Sequence, residues 1–198
     1  MEYFTADWHL GDDRIGIDGK PNLFYRPFKS VAEQDHLIIE KFMLSFNDGD
    51  TLWHLGDVFY EINKRTEGWL NLLREAYPHS EFNLVIGNYD EDKLDILKKY
   101  FDNVYSECKY WSFSDDFNVY LNHYPIKCKD IFCPDDPYND VFSFALTGHI
   151  HGLWKVQQNI INVGVDAWHF KPVSKKEILF CYNAMKKHYD ENVFLYKK

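Results

Sequence analysis

Five short polar groups in this chain each follow an apolar run, and together they carry the side chains that bind divalent cations. Asp7-Trp8-His9 follows Tyr3-Phe4-Thr5, Gly56-Asp57 follows Leu52-Trp53-His54-Leu55, and Gly87-Asn88 follows Leu84-Val85-Ile86. Asn122-His123 follows Val119-Tyr120-Leu121, and Gly148-His149-Ile150-His151 follows Ala145-Leu146-Thr147. Carboxylate and imidazole donors suit borderline ions such as Mn, Fe or Zn. A carboxylate shared by two such ions holds them about 3.5–4 Å apart, where they clamp the attacking and leaving oxygens of a displacement. Glycines beside the donors let the backbone turn sharply and keep the space open. Strand ends hold such donors more rigidly than loops do.

The elements that must position these groups are legible from periodicity and punctuation. Met1–Thr5, Thr51–Leu55 and Phe82–Ile86 read as short buried strands, each delivering one polar group at its C-terminal end. Ser30–Phe46 reads as a helix, with Ser30 and Glu33 at capping-box spacing, Ile38, Phe42 and Phe46 on one face, and Asn47-Asp48-Gly49 as its stop. Thr66–Tyr77 and Glu91–Phe101 read as further helices. Tyr110–Phe113 and Phe117–Asn122 form a hairpin pattern around Ser114-Asp115-Asp116. Ser143–Thr147, Ile160–Val163 and Ile178–Cys181 read as short strands. Gly11–Lys29 and Lys127–Val141 have no period and read as long loops, which in compact domains are often functional. The order, β-α alternation first and mostly β afterwards, predicts an α/β protein of packed sheets with helices outside.

The 198 residues suit one domain, residues 1–198, with no repeat or linker dividing it. A net charge of −9 opposes sequence-independent binding to DNA or RNA, but not binding of a small phosphate beside bound cations. Cys108, Cys128, Cys133 and Cys181 show no metal or redox spacing and read as reduced thiols, with a Cys128–Cys133 disulfide as the lesser alternative. The N-terminus lacks the basic region of a secretion signal and no apolar run is long enough to span a membrane. The expectation is a soluble, cytoplasmic protein without a membrane partner; the oligomeric state is not encoded in any feature of the sequence.

The ordered set Asp-x-His, Gly-Asp, Gly-Asn-x-Asp, a lone His and Gly-His-x-His resembles the calcineurin-like metallophosphoesterase superfamily. Its small bacterial and phage members are closer in pattern. They share Asp7–Gly11, Arg26-Pro27-Phe28, His54–Asp57, His123-Tyr124-Pro125 and Asn162–Asp166, so the resemblance spans roughly residues 3–173. It implies a four-layer α/β/β/α sandwich of two mixed sheets flanked by helices. It implies two divalent ions, Mn first, with Fe, Zn or Ni as alternatives. Asp7, His9, Asp57 and His151 would hold one ion; Asp57, Asn88, His123 and His149 would hold the other, with Asp57 bridging. The implied activity is hydrolysis of a phosphate ester by water activated between the metals. Asp57 and Asn88 take part in that chemistry, and Asp90 orients the groups around it.

One position departs from the pattern. The third group usually reads Gly-Asn-His-Asp, and its His is assigned to the leaving group; here Tyr89 stands there. A phenol donates a hydrogen bond but carries no positive charge at neutral pH. The expected substrate is therefore a small phosphorylated molecule with a good leaving group, a phosphodiester or a nucleotide. Arg26 and Arg14 are the candidates for gripping its phosphate. His54 reads as a second-layer or core histidine, and Trp8, Tyr124 and Trp168 as packing residues that could also stack on a base. The alternative is a non-catalytic metal-binding scaffold of the same fold, favoured by Tyr89 alone. A nuclease is disfavoured by the charge.

Overall fold

The computed structural model describes residues 1–14, 26–105, 108–114, 117–125, 142–157 and 159–188. The expected loop 127–141, with Cys128 and Cys133, lies outside them, as do the centre of the hairpin turn and most of the first long loop.

The chain is a mixed α/β protein with two five-stranded sheets. The first has the order β10-β1-β2-β3-β4, built from β1 (Glu2–Thr5), β2 (Thr51–His54), β3 (Glu81–Val85), β4 (Asn103–Tyr105) and β10 (Val173–Ser174). Strands β1 to β4 run parallel and β10 closes one edge antiparallel. The second has the order β5-β6-β7-β9-β8, built from β5 (Cys108–Ser114), β6 (Phe117–Asn122), β7 (Phe142–Thr147), β8 (Val156–Gln157) and β9 (Ile160–Asn162). There β6, β7 and β9 are parallel, and β5 and β8 pair antiparallel at the edges. Strands β4, β8 and β10 are too short to show a period in the sequence.

The first sheet is buried on both faces, as parallel sheets are. Tyr3, Leu52, Phe82 and Leu84 face a core closed by Ile38, Ile39 and Phe42 of α1 (Val31–Ser45) and by Leu70 and Leu73 of α2 (Lys64–Ala76). Phe4, Trp53 and Val85 point the other way, into a second core with Val119, Leu121, Phe144, Leu146 and Ile161 of the second sheet. The two sheets therefore pack on each other through alternate residues of each strand.

The helix ends follow side-chain chemistry. Ser30 accepts from the Glu33 amide at 3.2 Å and starts α1. Helix α2 starts two residues earlier than expected, because Asn63 and Thr66 form a reciprocal cap. The expected helix Glu91–Phe101 is a 3-10 turn, Glu91–Lys93, followed by a single turn, α3 (Leu94–Leu97). The expected strand Ile178–Cys181 is instead part of helix α4 (Lys175–His188). Ser174 and Glu177 cap it: the Ser174 amide donates to Glu177 at 2.9 Å and the Glu177 amide to Ser174 Oγ at 3.3 Å. That Ser-x-x-Glu spacing is present in the sequence and outranks the short apolar run behind it. Ile178 enters the inter-sheet core, where Tyr182 stacks on Phe144 at 4.8 Å. Among the described residues no helix is long and apolar enough to cross a membrane.

His54 is fully buried at the end of β2, edge-on to Trp8 at 4.7 Å, and its ring nitrogens have no hydrogen-bond partner among the described residues. Burial pushes its pKa down from 6.5 to about 3. Between those values the unfolded chain binds a proton that the folded one refuses. Folding stability is therefore complete above pH 6.5 and falls as the pH drops toward 3, by up to about 1.4 kcal/mol per pH unit. The variant His54→Leu should flatten this acid limb in urea titrations between pH 4 and 7. Parallel stability curves for the two proteins would show that His54 does not set it.

Candidate metal centre

The polar groups meet where the C-terminal ends of the parallel strands of both sheets converge. Beyond β1 and β2 the pairing continues through the turns: the Asp7 amide donates to the Gly56 carbonyl and the His9 amide to the Asp57 carbonyl, both at 3.0 Å. Ala6 bridges to Gly164, and the Gly148 amide donates to the His123 carbonyl at 3.0 Å, so the second sheet brings its own turns to the same place.

Asp57 is central. Its Oδ2 lies 3.3 Å from His9 Nε2 and 3.4 Å from His123 Nε2, with all three side chains buried. Among the described residues, two sets of donor atoms lie close enough to hold an ion: Asp7, His9 and His151, and Asp7, Asp57 and His123. Asp7 thus belongs to both sets, while Asp57 reaches one histidine of each. Asn88 Oδ1 joins the second set, 3.0 Å from His123 Nε2 and 3.2 Å from His149 Nδ1. The His9 and His151 rings stack at 5.1 Å, and His123 and His149 meet edge-on at 5.1 Å. All seven side chains expected to hold metal are therefore gathered here.

The backbone shows the same concentration. Among the described residues, seven non-glycine residues have positive φ, and five of them are Asp7, His9, Asp57, His149 and His151. Such conformations cost of order 1–3 kcal/mol each, persist only where the surroundings impose them, and cluster at functional sites. Glycines supply the clearance. A Cβ on Gly87 would lie 2.2 Å from Asp57 Oδ1, and one on Gly56 (φ +92°) 2.6 Å from His123 Nδ1.

The electrostatics call for positive charge. Burial alone would raise the Asp57 carboxyl, but hydrogen bonds from His123 and His9 hold it well below the usual carboxylate range. Burial pulls His123 down, but the Asp57 hydrogen bond and the Asp7 and Asp57 charges lift it to about 9. Asp7 Oδ2 is buried without a hydrogen-bond partner among the described residues. A buried carboxylate oxygen with no donor is costly, and a cation is the partner this donor set fits. His123 Nδ1 faces the Leu55 carbonyl at 2.8 Å, which orients the ring with Nε2 turned to Asp57 and Asn88.

Around these side chains lies a supporting layer. Asp90 accepts from the amides of Asp57 at 2.7 Å, Gly87 at 2.9 Å and Val58 at 3.0 Å, pinning the two turns together. Burial raises its pKa to about 6 against those hydrogen bonds. Asp166 was visible in the sequence only as the end of Asn162–Asp166, yet its Oδ2 meets His151 Nδ1 at 2.8 Å and orients that ring. Asn162 donates to the His151 carbonyl, and Gln34 to the His9 carbonyl at 3.3 Å. No spacing rule singles out these partners, because they come from distant elements.

The two arginines expected to grip phosphate both have partners within the protein. Arg26 is buried, with a fork on Asp166 (Nε 2.7 Å, Nη2 2.9 Å) and further bonds to the carbonyls of Asp7 and Trp8. It braces the turn beneath the donors. Arg14 is partly exposed, forks onto Asp12 and donates to Tyr89 Oη at 3.1 Å. Trp8 and Trp168 are buried in the two cores, whereas Tyr124 is exposed and edge-on to His149 at 4.8 Å.

No protein-family model matches the chain, and no curated protein matches it significantly. A similar solved structure is that of the protein of unknown function AQ665 from Aquifex aeolicus, 27% identical, covering 91% of this chain and 98% of that one with a TM-score of 0.68. The likeness supports the α/β arrangement of two sheets and brings no activity with it.

Loss of the brace behind a histidine ligand typically weakens metal binding 10–100-fold. Asp166→Asn should therefore lower Mn²⁺ affinity by that order in calorimetric titration while the fold persists by circular dichroism. Unchanged affinity would separate Asp166 from metal binding.

Proposed function

We propose that the chain is a metal-dependent phosphoesterase of the calcineurin-like metallophosphoesterase kind, acting on a small phosphodiester or nucleotide-type substrate. The observation that carries this reading is the buried Asp57 carboxylate facing His9 and His123 at once, with Asp7 common to both donor sets. A four-layer α/β/β/α sandwich is the architecture that goes with it, and the core shared by the two sheets supports that reading.

Asp7, His9, Asp57 and His151 would hold one divalent ion and Asp57, Asn88, His123 and His149 the other, Mn²⁺ being the first candidate for both. When bound, such ions lower the pKa of water and stabilise charge on phosphoryl oxygens. The chain's own residues do the rest. Asp90 and the Asp57 turn fix the carboxylate in place, Asp166 and Leu55 set the directions of His151 and His123, and Arg26 neutralises Asp166 beneath them. Tyr89, on the rim beside His9, offers a neutral hydrogen-bond donor where the related pattern has an imidazole. That favours esters whose leaving group needs little help.

The scaffold alternative draws on Tyr89 alone. Against it stand five donors on strained backbone, an expense in stability that a surface for partners does not require.

The test is hydrolysis of bis-p-nitrophenyl phosphate and p-nitrophenyl phosphate by Mn²⁺-loaded protein. Diester turnover should exceed that of free Mn²⁺, and Asp57→Asn should lower it at least about a hundredfold. Protein that holds two equivalents of metal and gives no turnover above the free ion would sink the reading.

A further inference from the structure

Tyr89 is anchored at both ends. Its backbone amide donates to Asp57 Oδ1 at 2.9 Å, its ring stands edge-on to His9 at 4.9 Å, and its hydroxyl oxygen accepts from Arg14 Nη1 at 3.1 Å. Arg14 is itself held from several sides. Asp12 accepts from its Nε at 2.9 Å, its Nη2 at 2.8 Å and its amide at 3.0 Å. The guanidinium carbon lies 4.2 Å from the Tyr60 ring centre, and the Tyr60 ring touches Tyr89 at 5.8 Å. Asp12 is buried, and its amide donates to the His9 carbonyl at 3.1 Å. The chain thus runs without a gap from a metal-donor turn, through Asp12 and Arg14, to the phenol oxygen.

A phenol oxygen has one hydrogen and acceptor lone pairs. With Arg14 donating into a lone pair, the hydrogen must point elsewhere. Arginine has no acceptor to receive it. Tyr89 is half-buried, so a ligand arriving at the metal centre can reach the hydroxyl. The charge of Arg14 is already balanced by Asp12, so the pair adds direction to the site rather than net charge.

Resting on the phosphoesterase reading, we propose that the Tyr89 hydroxyl, aimed by Arg14, donates a hydrogen bond to a phosphoryl oxygen of the bound substrate. Arg14 is then a positioning residue that acts through Tyr89 and does not itself grip the phosphate. Tyr60 and Asp12 serve as the bed that keeps the guanidinium flat and pointed. A lysine cannot replace it, because an ammonium cannot fork onto Asp12 and reach Tyr89 in one plane.

The experiment is a double-mutant cycle on Mn²⁺-loaded protein with inorganic phosphate as the probe, read by calorimetry, with metal content and circular dichroism recorded for every variant. Tyr89→Phe should weaken phosphate binding about tenfold, the scale of one hydrogen bond to a charged group. Arg14→Gln and Arg14→Lys should each weaken it several-fold alone and change it little in the Tyr89→Phe background. Equal losses from Arg14→Gln in both backgrounds, or no loss from Tyr89→Phe, would overturn the proposal. A second measurement leaves the side chains unaltered: in Zn²⁺-loaded protein with ring-labelled tyrosine, the Tyr89 resonance should shift on adding phosphate, and a resonance that stays in place overturns the proposal. Unaltered protein that loads two metals yet binds no phosphate removes the phosphoesterase reading itself, and this inference with it.

Discussion

Asp7 and Asp57 lie almost without solvent at the seam where the strand ends of two sheets meet. Two buried carboxylates this close repel each other and forgo hydration, and the fold persists only because positive charge and donors are arranged around them. Histidines on both sides lean on Asp57, the amide of His149 donates to Asp7 at 2.9 Å, and the amide of Tyr89 donates to Asp57. The rest of the site is a set of answers to that crowding. Asp90 ties the second and third turns together from below, and Arg26 with Asp166 ties the first turn to the last.

The left-handed residues follow from the same constraint. A strand that ends in a sharp turn can present a side chain and an amide toward one point only by leaving the extended region. Five donors adopt such backbone, and the surrounding ladder of turn-to-turn hydrogen bonds imposes it. Where a side chain would collide with a donor, glycine stands instead, as at Gly56 and Gly87. Stability is thus given up locally at the seam and recovered in the two apolar cores on either side of the first sheet.

The arginines show how tertiary context adds partners that the sequence does not name. Both sit in or beside the first long loop, and both read there as candidate phosphate ligands, Arg26 ahead of Arg14. Arg26 is buried and forks onto Asp166, a residue 140 positions away, which makes it part of the frame. Arg14 is partly exposed, forks onto Asp12 and donates to the hydroxyl of Tyr89. The Tyr89 hydroxyl therefore comes with a cation held against it.

The sequence by itself determined the donors and the strands that deliver them. Each of the five polar groups follows its apolar run directly, and local pattern is enough to find both; likewise the Ser30 cap and the apolar face of α1. It misread Ile178–Cys181, because a short apolar run has no period of its own and the Ser174–Glu177 cap that decides it lies just upstream. Tertiary structure alone decided that Asp166, Asn162 and Gln34 brace the donors, that Arg26 forks onto Asp166 and that Arg14 meets Tyr89. Those are relations between segments far apart in the chain, such as His151 with Asp166 or Asp57 with Asp90, and they exist only once parallel strands of two sheets end at one place.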